Sequence, residues 1–308
     1  MSTTPPTATL TLESLLAQPG IILQRGDNDA RSRWGGKDRA SPGGKPVREL
    51  QEALVQIGAM SATPDGDFGK KTQEAVKRFQ WYLRRIAHRL RISGTGDSLH
   101  GSIEAYTAPS GVLLDGFVRL TTLAEVVSWR DGGFELASPL VAYSVGKLSN
   151  IVRSSTFEVL DYPSAGADEI LVHQDFVPWL ESMNTKAKDN KVTLRVNQAF
   201  RVQGLPVSGA VVPPASSSQH LIGHALDVNI VDGSTVNTSP MFNAGTATQA
   251  AQDLVKAAKD IGLRWGGDFS PKDPPHFDKR VLHTSDEYLN SFYFAQRSYD
   301  RHHPLRRA

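Results

Sequence analysis

The run SSQHLIGHALDVNI, residues 217–230, places His220, His224 and Asp227 within eight positions of an otherwise apolar stretch. A buried strand or helix tolerates one such residue through a hydrogen bond, but three so close together need a shared purpose or extensive pairing. Imidazole and carboxylate are ligands that zinc accepts at about 2 Å, and a catalytic zinc site keeps one position open. His220 and Asp227 are seven apart, too far for a single-turn helical pair, yet a loop entering a strand can turn both toward one point. A third ligand is available in WGGDFSPKDPPHFDKR, where glycine and proline stiffen a loop that leads His276 into an expected strand. His220, Asp227 and His276 are therefore the candidate metal ligands, with a metal-free buried polar network as the alternative.

Hydrolysis at such a centre also needs a carboxylate that is not a ligand, to take a proton from water and return it to the departing amine. Asp273 lies three residues before His276, and Pro274 and Pro275 restrict the path between them; Asp268 and Asp278 compete on spacing alone. A cation beside the carbonyl would stabilise the oxyanion or anchor a substrate carboxylate, and Arg201, ending VNQAFR, is the candidate. His224 is four residues from His220, so a helix would make it a ligand; support of the site or pocket lining is the reading adopted. His283 reads as an ordinary, partly exposed histidine. Ser216, Ser217 and Ser218 lack a Gly-x-Ser-x-Gly elbow, so a serine triad is disfavoured.

The rest of the composition narrows the classes. The chain has 308 residues with 39% hydrophobic and 21% charged, enough for one or two cores. Lys and Arg total 34 against 32 Asp and Glu, so no broad basic footprint points to nucleic acid. Cysteine is absent, which excludes disulfides, thiolate-held metal and a cysteine nucleophile. No run approaches the roughly 20 apolar residues of a membrane span. The opening residues carry no basic segment ahead of an apolar one, so synthesis in the cytoplasm without a signal peptide is expected.

Periodicity supplies the elements that must position these residues. Residues 1–40 read as an extension packed loosely on the neighbouring domain. Val47, Leu50, Leu54 and Ile57 have helical spacing with Gly58 as a stop, TPDGDFG makes a turn, and Ala75, Val76 and Phe79 mark a second helix. Residues 83–110 read as an insertion or long connection, after which Leu120, Leu123 and Val126 begin another helical stripe. Of 131–169 only PLVAYSVG and TFEVLDYP suggest strands or buried turns. From 170, ILVHQDFVPWLESMNTKAKDN reads as an amphipathic helix, KVTLRVNQAF and LDVNIV as strands, and TATQAAQDLVKAAKDIG as a helix. The domains expected are 1–40, a helical domain at 41–130, a catalytic domain at 131–295 and a basic, frayed tail at 296–308. The class is α+β: a small all-helical N-terminal domain, then helices packed on a mainly antiparallel sheet.

Two family resemblances rest on these motifs. VRELQEALVQIGA, DGDFGKKTQEAVKRFQ and LLDGFVRLTTLAEV resemble the bacterial peptidoglycan-binding domain, which has a Leu-Gln pair, an Asp-Gly-x-Phe/Tyr-Gly turn and an Ala-Val-x-x-Phe-Gln run; here about 30 residues separate the last helix. Ser218, His220, Gly223, Ala225 and Asp227 match the Ser-x-His-x-x-Gly-x-Ala-x-Asp pattern of peptidase family M15, and LRWGGDFSPKDPPHF is similar to its second metal loop. That resemblance implies Zn2+ on His220, Asp227 and His276, Asp273 as the general base and Arg201 orienting or polarising the substrate. Ser218, His224 and Trp265 would support or line the pocket. Together the resemblances imply an endolysin-like zinc peptidase acting on bacterial peptidoglycan at an L-Ala–D-Glu or D-Ala-containing bond. A monomer without nucleic-acid or stable membrane partners is expected, reaching the wall or periplasm after holin-type release or delivery by an apparatus. A noncatalytic wall-binding component and a D,D-dipeptidase or carboxypeptidase on small soluble peptides are the alternatives.

Overall fold

The computed structural model describes residues 10–18, 20–38, 44–93, 100–157, 166, 168–204, 216–297 and 306–307. The chain divides into two compact units, Met1–Ala137 and Ser138–Ala308.

The first unit is built on helices α1 (Pro46–Ile57), α2 (Lys70–Arg85) and α3 (Leu120–Asp131). Val47, Leu50, Leu54 and Ile57 form the buried stripe of α1, and Gly58 closes it in the left-handed conformation that a Cβ would oppose. The free amides at its start are satisfied from far upstream: Asp29 Oδ1 accepts from Val47 N–H (3.1 Å) and Oδ2 from Arg48 N–H (2.8 Å). Trp34 Nε1–H donates to the same carboxylate at 2.8 Å, and Leu12, Leu15, Leu23 and Trp34 are buried. The segment before α1 is thus part of the core rather than a loosely packed extension. It contributes strands β1 (Arg33–Trp34) and β2 (Lys37–Asp38).

Two glutamines hold the two Asp-Gly turns in the same way. Gln51 Oε1 accepts from Asp65 and Gly66 N–H, while its amide donates to Asp67 O and Thr72 Oγ1. Gln80 accepts from Asp115 and Gly116 and donates to Phe117 O and Thr122 Oγ1. The longer interval in the second case is occupied by a hairpin that patterning did not place, β3 (His88–Ser93) with β4 (His100–Ala105), and β3 pairs in turn with β5 (Phe134–Glu135). Trp129 packs edge-on to Phe79, Tyr82, Tyr106 and Phe134 beneath it.

The second unit contains strands β6 (Leu140–Ser144), β7 (Ile151–Arg153), β8 (Glu169–His173), β9 (Thr193–Gln198), β10 (Ala225–Asp232), β11 (Thr235–Asn237), β12 (Arg264–Trp265), β13 (His276–Asp278) and β14 (Arg306–Arg307). Its helices are α4 (Val177–Asp189), α5 (Ser239–Asn243), α6 (Gln249–Asp260) and α7 (Asp286–Arg297). The larger sheet runs β12-β13-β10-β9-β7, with β11 on β10; its pairings are antiparallel except β7 with β9. Leu180, Met183 and Ala187 of α4 and Ala251, Leu254, Val255 and Ala258 of α6 pack on Leu194, Val196, Leu226, Val228, Ile230 and Phe277. This is the expected arrangement of helices on a mainly antiparallel sheet.

Two expectations change, at residues 170–173 and at the C-terminal tail, and one holds in part. Residues 170–173 form strand β8 and the helix begins only at Val177, because a strand buried on both faces reads as a continuous apolar run that periodicity does not distinguish from a helix. PLVAYSVG supplies β6, whereas residues 158–163 of TFEVLDYP lie outside the described residues. Arg306 and Arg307, assigned to a frayed tail, pair in parallel with Val141 and Ala142. Among the described residues no helix is long and apolar enough to cross a membrane.

Candidate metal centre

Strand alternation explains how β10 and β13 serve a core and a site together. Leu226, Val228 and Ile230 point into the helix-covered core, so Asp227 lies on the other face; in β13 Phe277 enters the core and sends His276 and Asp278 the opposite way. Asp227 and His276 are direct partners in the antiparallel register. His220 comes from a single 3-10 turn, Gln219–Ile222, whose first amides are capped by Ser218: its hydroxyl accepts from His220 N–H. The turn ends at Gly223, φ +72°, where a Cβ would lie 2.6 Å from the His173 amide nitrogen. The Ser and Gly of the motif thus shape the support of the first histidine.

His220 Nε2, Asp227 Oδ1 and His276 Nδ1 form a triangle with edges of 3.2, 3.2 and 3.1 Å. His220 Nδ1 faces the Ala199 carbonyl and must donate to it, which leaves Nε2 as a lone pair. His276 Nε2 faces Asp278 Oδ2 at 2.8 Å and donates there, which leaves Nδ1 as a lone pair. Two nitrogen lone pairs and a carboxylate oxygen thus converge with no donor among them, and a cation at their centre relieves the repulsion. Ligand atoms about 2.0–2.1 Å from a tetrahedral ion stand about 3.3–3.4 Å apart, so the three residues fit a divalent metal with one position left over. Without one, a proton takes the cation's part: burial opposes it, but the carboxylates of Asp227 and Asp278 outweigh burial and push His276 up to about 9. Burial likewise opposes ionisation of Asp227, yet His220 and His276 hold its carboxyl far below the usual range. This is the one group of three or more metal-capable side chains among the described residues.

The three candidate bases separate clearly. Asp268 is exposed and bonded to Lys259 at 2.6 Å. Asp278 is 1% exposed and engaged by His276 and Arg264. Asp273 is half-buried; burial and then the charge of Asp227 raise its carboxyl, while His276 and His220 pull it down. Its loop is held by Asp273 N–H to Gly266 O (2.8 Å) and His276 N–H to Asp273 O (3.0 Å). A Cβ at Gly266 would fall 2.0 Å from that Asp273 oxygen, and one at Gly267 would strike the Trp265 ring. Trp265 supports the same loop, with Nε1–H donating to Pro274 O at 2.7 Å and its ring edge-on to Phe242.

Arg201 is 8% exposed; its N–H donates to His220 O at 3.0 Å, and its guanidinium interacts with the charge of Asp227. Ser216 and Ser217 are exposed and Ser218 is committed as a cap, so no serine triad assembles. His283 is exposed. His224 is not one of the three ligand residues. It shares the parity of Leu226 and Val228, and its ring lies 4.5 Å from His173 and 6.1 Å from Phe176 with neither nitrogen hydrogen-bonded. Sequence reading missed Arg264 and Tyr288, whose hydroxyl donates to Ser218 O, and treated Asp278 only as a rival base. The available signal was the i, i+2 spacing of His276 and Asp278 on one strand face.

The buried pair His173 and His224 makes the fold sensitive to acid. Burial lowers His173 to about 3 from 6.5, and lowers His224 well below 6.5 with the His173 charge adding to it. Above pH 6.5 both rings are neutral folded or unfolded; below it the unfolded chain binds protons that the buried rings refuse. Stability of the metal-free protein is expected to fall by about 1.4 kcal/mol per pH unit for His173 alone between 6.5 and 3. Urea denaturation at pH 7 and pH 5 measures this, and equal stabilities would contradict it.

Comparison with known proteins agrees with the motifs. Residues 213–279 match the D-alanyl-D-alanine carboxypeptidase model of peptidase family M15, and residues 43–85 match a peptidoglycan binding domain model. The L-alanyl-D-glutamate peptidase of Listeria phage A118 is 28% identical over 134 residues, 43% of this chain and 38% of that protein, so the match spans well under half of the relative. The crystal structure of the Serratia marcescens L-Ala D-Glu endopeptidase ChiX is 26% identical, covering 35% of this chain and 80% of that one with a TM-score of 0.25. The chain therefore carries a segment similar to the M15 D-alanyl-D-alanine carboxypeptidases and, N-terminal to it, one similar to peptidoglycan binding domains.

Proposed function

We propose that this chain is a zinc-dependent peptidoglycan peptidase that hydrolyses a stem-peptide bond of the bacterial cell wall. The observation that carries this reading is the triangle of His220 Nε2, His276 Nδ1 and Asp227 Oδ1, with edges of 3.1 and 3.2 Å, beside a half-buried carboxyl on the same loop as His276. His220, Asp227 and His276 would hold the ion, which when bound supplies Lewis acidity and makes water easier to deprotonate near neutral pH. Asp273 takes a proton from the attacking water and returns it to the departing nitrogen, so that one C–N bond is exchanged for a carboxylate and an amine. Its raised carboxyl suits both halves of that exchange. Arg201 brings a fixed positive charge to the oxygen on which negative charge develops, or to a substrate carboxylate.

The N-terminal unit supplies wall attachment, raising the local concentration of a substrate that the peptidase alone would hold weakly. The wall or periplasm is then the place of action. Of the two bonds in question, L-Ala–D-Glu is the preferred assignment because the phage relative is named for it.

Purified sacculi incubated with zinc-loaded protein should release fragments whose masses reveal new L-Ala carboxyl and D-Glu amino ends, and chelation should abolish them. Sacculi that bind the protein but remain chemically unchanged would refute the hydrolase and leave a wall-binding module. New ends at D-Ala would move the assignment to the other bond.

A further inference from the structure

His276 is braced by two groups, and one side chain touches both. Arg264 and Asp278 are register partners across β12 and β13. The guanidinium meets the carboxylate as a two-pronged fork, Nε to Oδ1 at 2.8 Å and a terminal nitrogen to Oδ2 at 2.7 Å, and Oδ2 also accepts from His276 Nε2 at 2.8 Å. Arg264 further lies over the Phe269 ring, 5.0 Å from its centroid, and that ring is tilted against His276 at 5.6 Å.

We propose that Arg264 is a positioning residue for the metal centre, holding Asp278 and Phe269 so that His276 keeps its Nε2 proton away from the site and turns its Nδ1 lone pair toward His220 and Asp227. The inference rests on the metal-binding reading above. The Asp278 side chain is 1% exposed while that of Arg264 is 38% exposed, so the carboxylate depends on protein partners and the arginine anchors it from the solvent side. With the fork removed, Asp278 loses two of its three bonds and is free to turn about its side-chain torsions. His276 then loses the fixed acceptor that sets its ring orientation and tautomer. Lysine at 264 can reach one carboxylate oxygen but cannot reproduce a planar fork or a stacked cation.

The test measures zinc affinity of the full-length protein by competition with a chromophoric chelator, beside the melting temperature of the metal-free form and the ring-nitrogen NMR shifts of His276. Arg264→Gln should weaken zinc binding about 10–100-fold, with Arg264→Lys recovering only part. Asp278 is left buried with His276 alone, so the metal-free melting temperature should fall and affinities are compared at a temperature where both proteins are folded; in the zinc-loaded protein the His276 Nε2 resonance should shift toward that of an N–H without a fixed acceptor. Zinc binding by Arg264→Gln as tight as the wild type would overturn the role of Arg264 while leaving the metal centre intact. A wild-type protein that binds no zinc would overturn both. Should Arg264→Gln fail to fold, Asp278→Asn, which keeps the volume and abolishes the charged fork, is expected to show the same loss; unchanged affinity there would equally overturn the proposal.

Discussion

Asp273→Asn protein is expected to hydrolyse peptidoglycan about 10²–10⁴-fold more slowly than the wild type while binding the same amount of zinc. Asparagine has nearly the size and shape of aspartate, so the turn that carries it should survive. That turn is held by main-chain bonds, Asp273 N–H to Gly266 O and His276 N–H to Asp273 O, and by the Trp265 bond to Pro274, none of which needs the carboxyl. What the substitution removes is the proton acceptor. Burial and the neighbouring Asp227 charge raise this carboxyl, which matches a group that must accept a proton from water and release it again. Metal analysis and initial rates on the same preparation decide the matter. Undiminished hydrolysis would eliminate Asp273 as the base, whereas loss of zinc along with activity would mean that it serves the ion instead.

The second large effect is expected at His220. With His220→Ala the protein should lose stoichiometric zinc and all hydrolysis above background, because the triangle keeps only one imidazole. The segment should stay in place, since Gln219 is tied to the backbone of Val281 by two hydrogen bonds and Leu221 and Ile222 remain buried. A thermodynamic signature accompanies the chemical one. Zinc present at about 1,000 times its dissociation constant stabilises a folded protein by about 4 kcal/mol, and that increment should vanish in the variant. Calorimetric scans with and without zinc provide the measurement; a variant that zinc still stabilises would show that the ion binds elsewhere.

How far the sequence reached depended on whether a feature was local. The stripes of α1 and α6 and the strands β9 and β10 follow from side-chain periodicity, which a short window contains in full. The hairpin of β3 and β4 was read as a connection because its charged residues interrupt any simple alternation. Arg91 is held by Glu104 on the paired strand and by the Gly132 carbonyl, and both Arg89 and Arg91 lie over Phe134, partners that are distant in sequence. β8 was taken for helix because Ile170, Leu171 and Val172 are all buried, which erases the period of two.

The same division runs through the candidate site. Residue types and spacing in two short motifs named His220, Asp227 and His276, because metal chemistry restricts the usable side chains and stiff loops restrict their spacing, while the family resemblance set Asp273 apart from Asp268 and Asp278. His224 reads in the sequence as support or lining of the site, whereas its ring, just ahead of β10, packs on His173 and Phe176 with the parity of Leu226 and Val228. The pairing of Asp227 with His276, the Ala199 carbonyl behind His220 and the Arg264 fork on Asp278 were decided by tertiary structure alone. Each joins segments brought side by side by strand register or loop closure, and register is fixed by burial of the whole sheet rather than by any one stretch of chain.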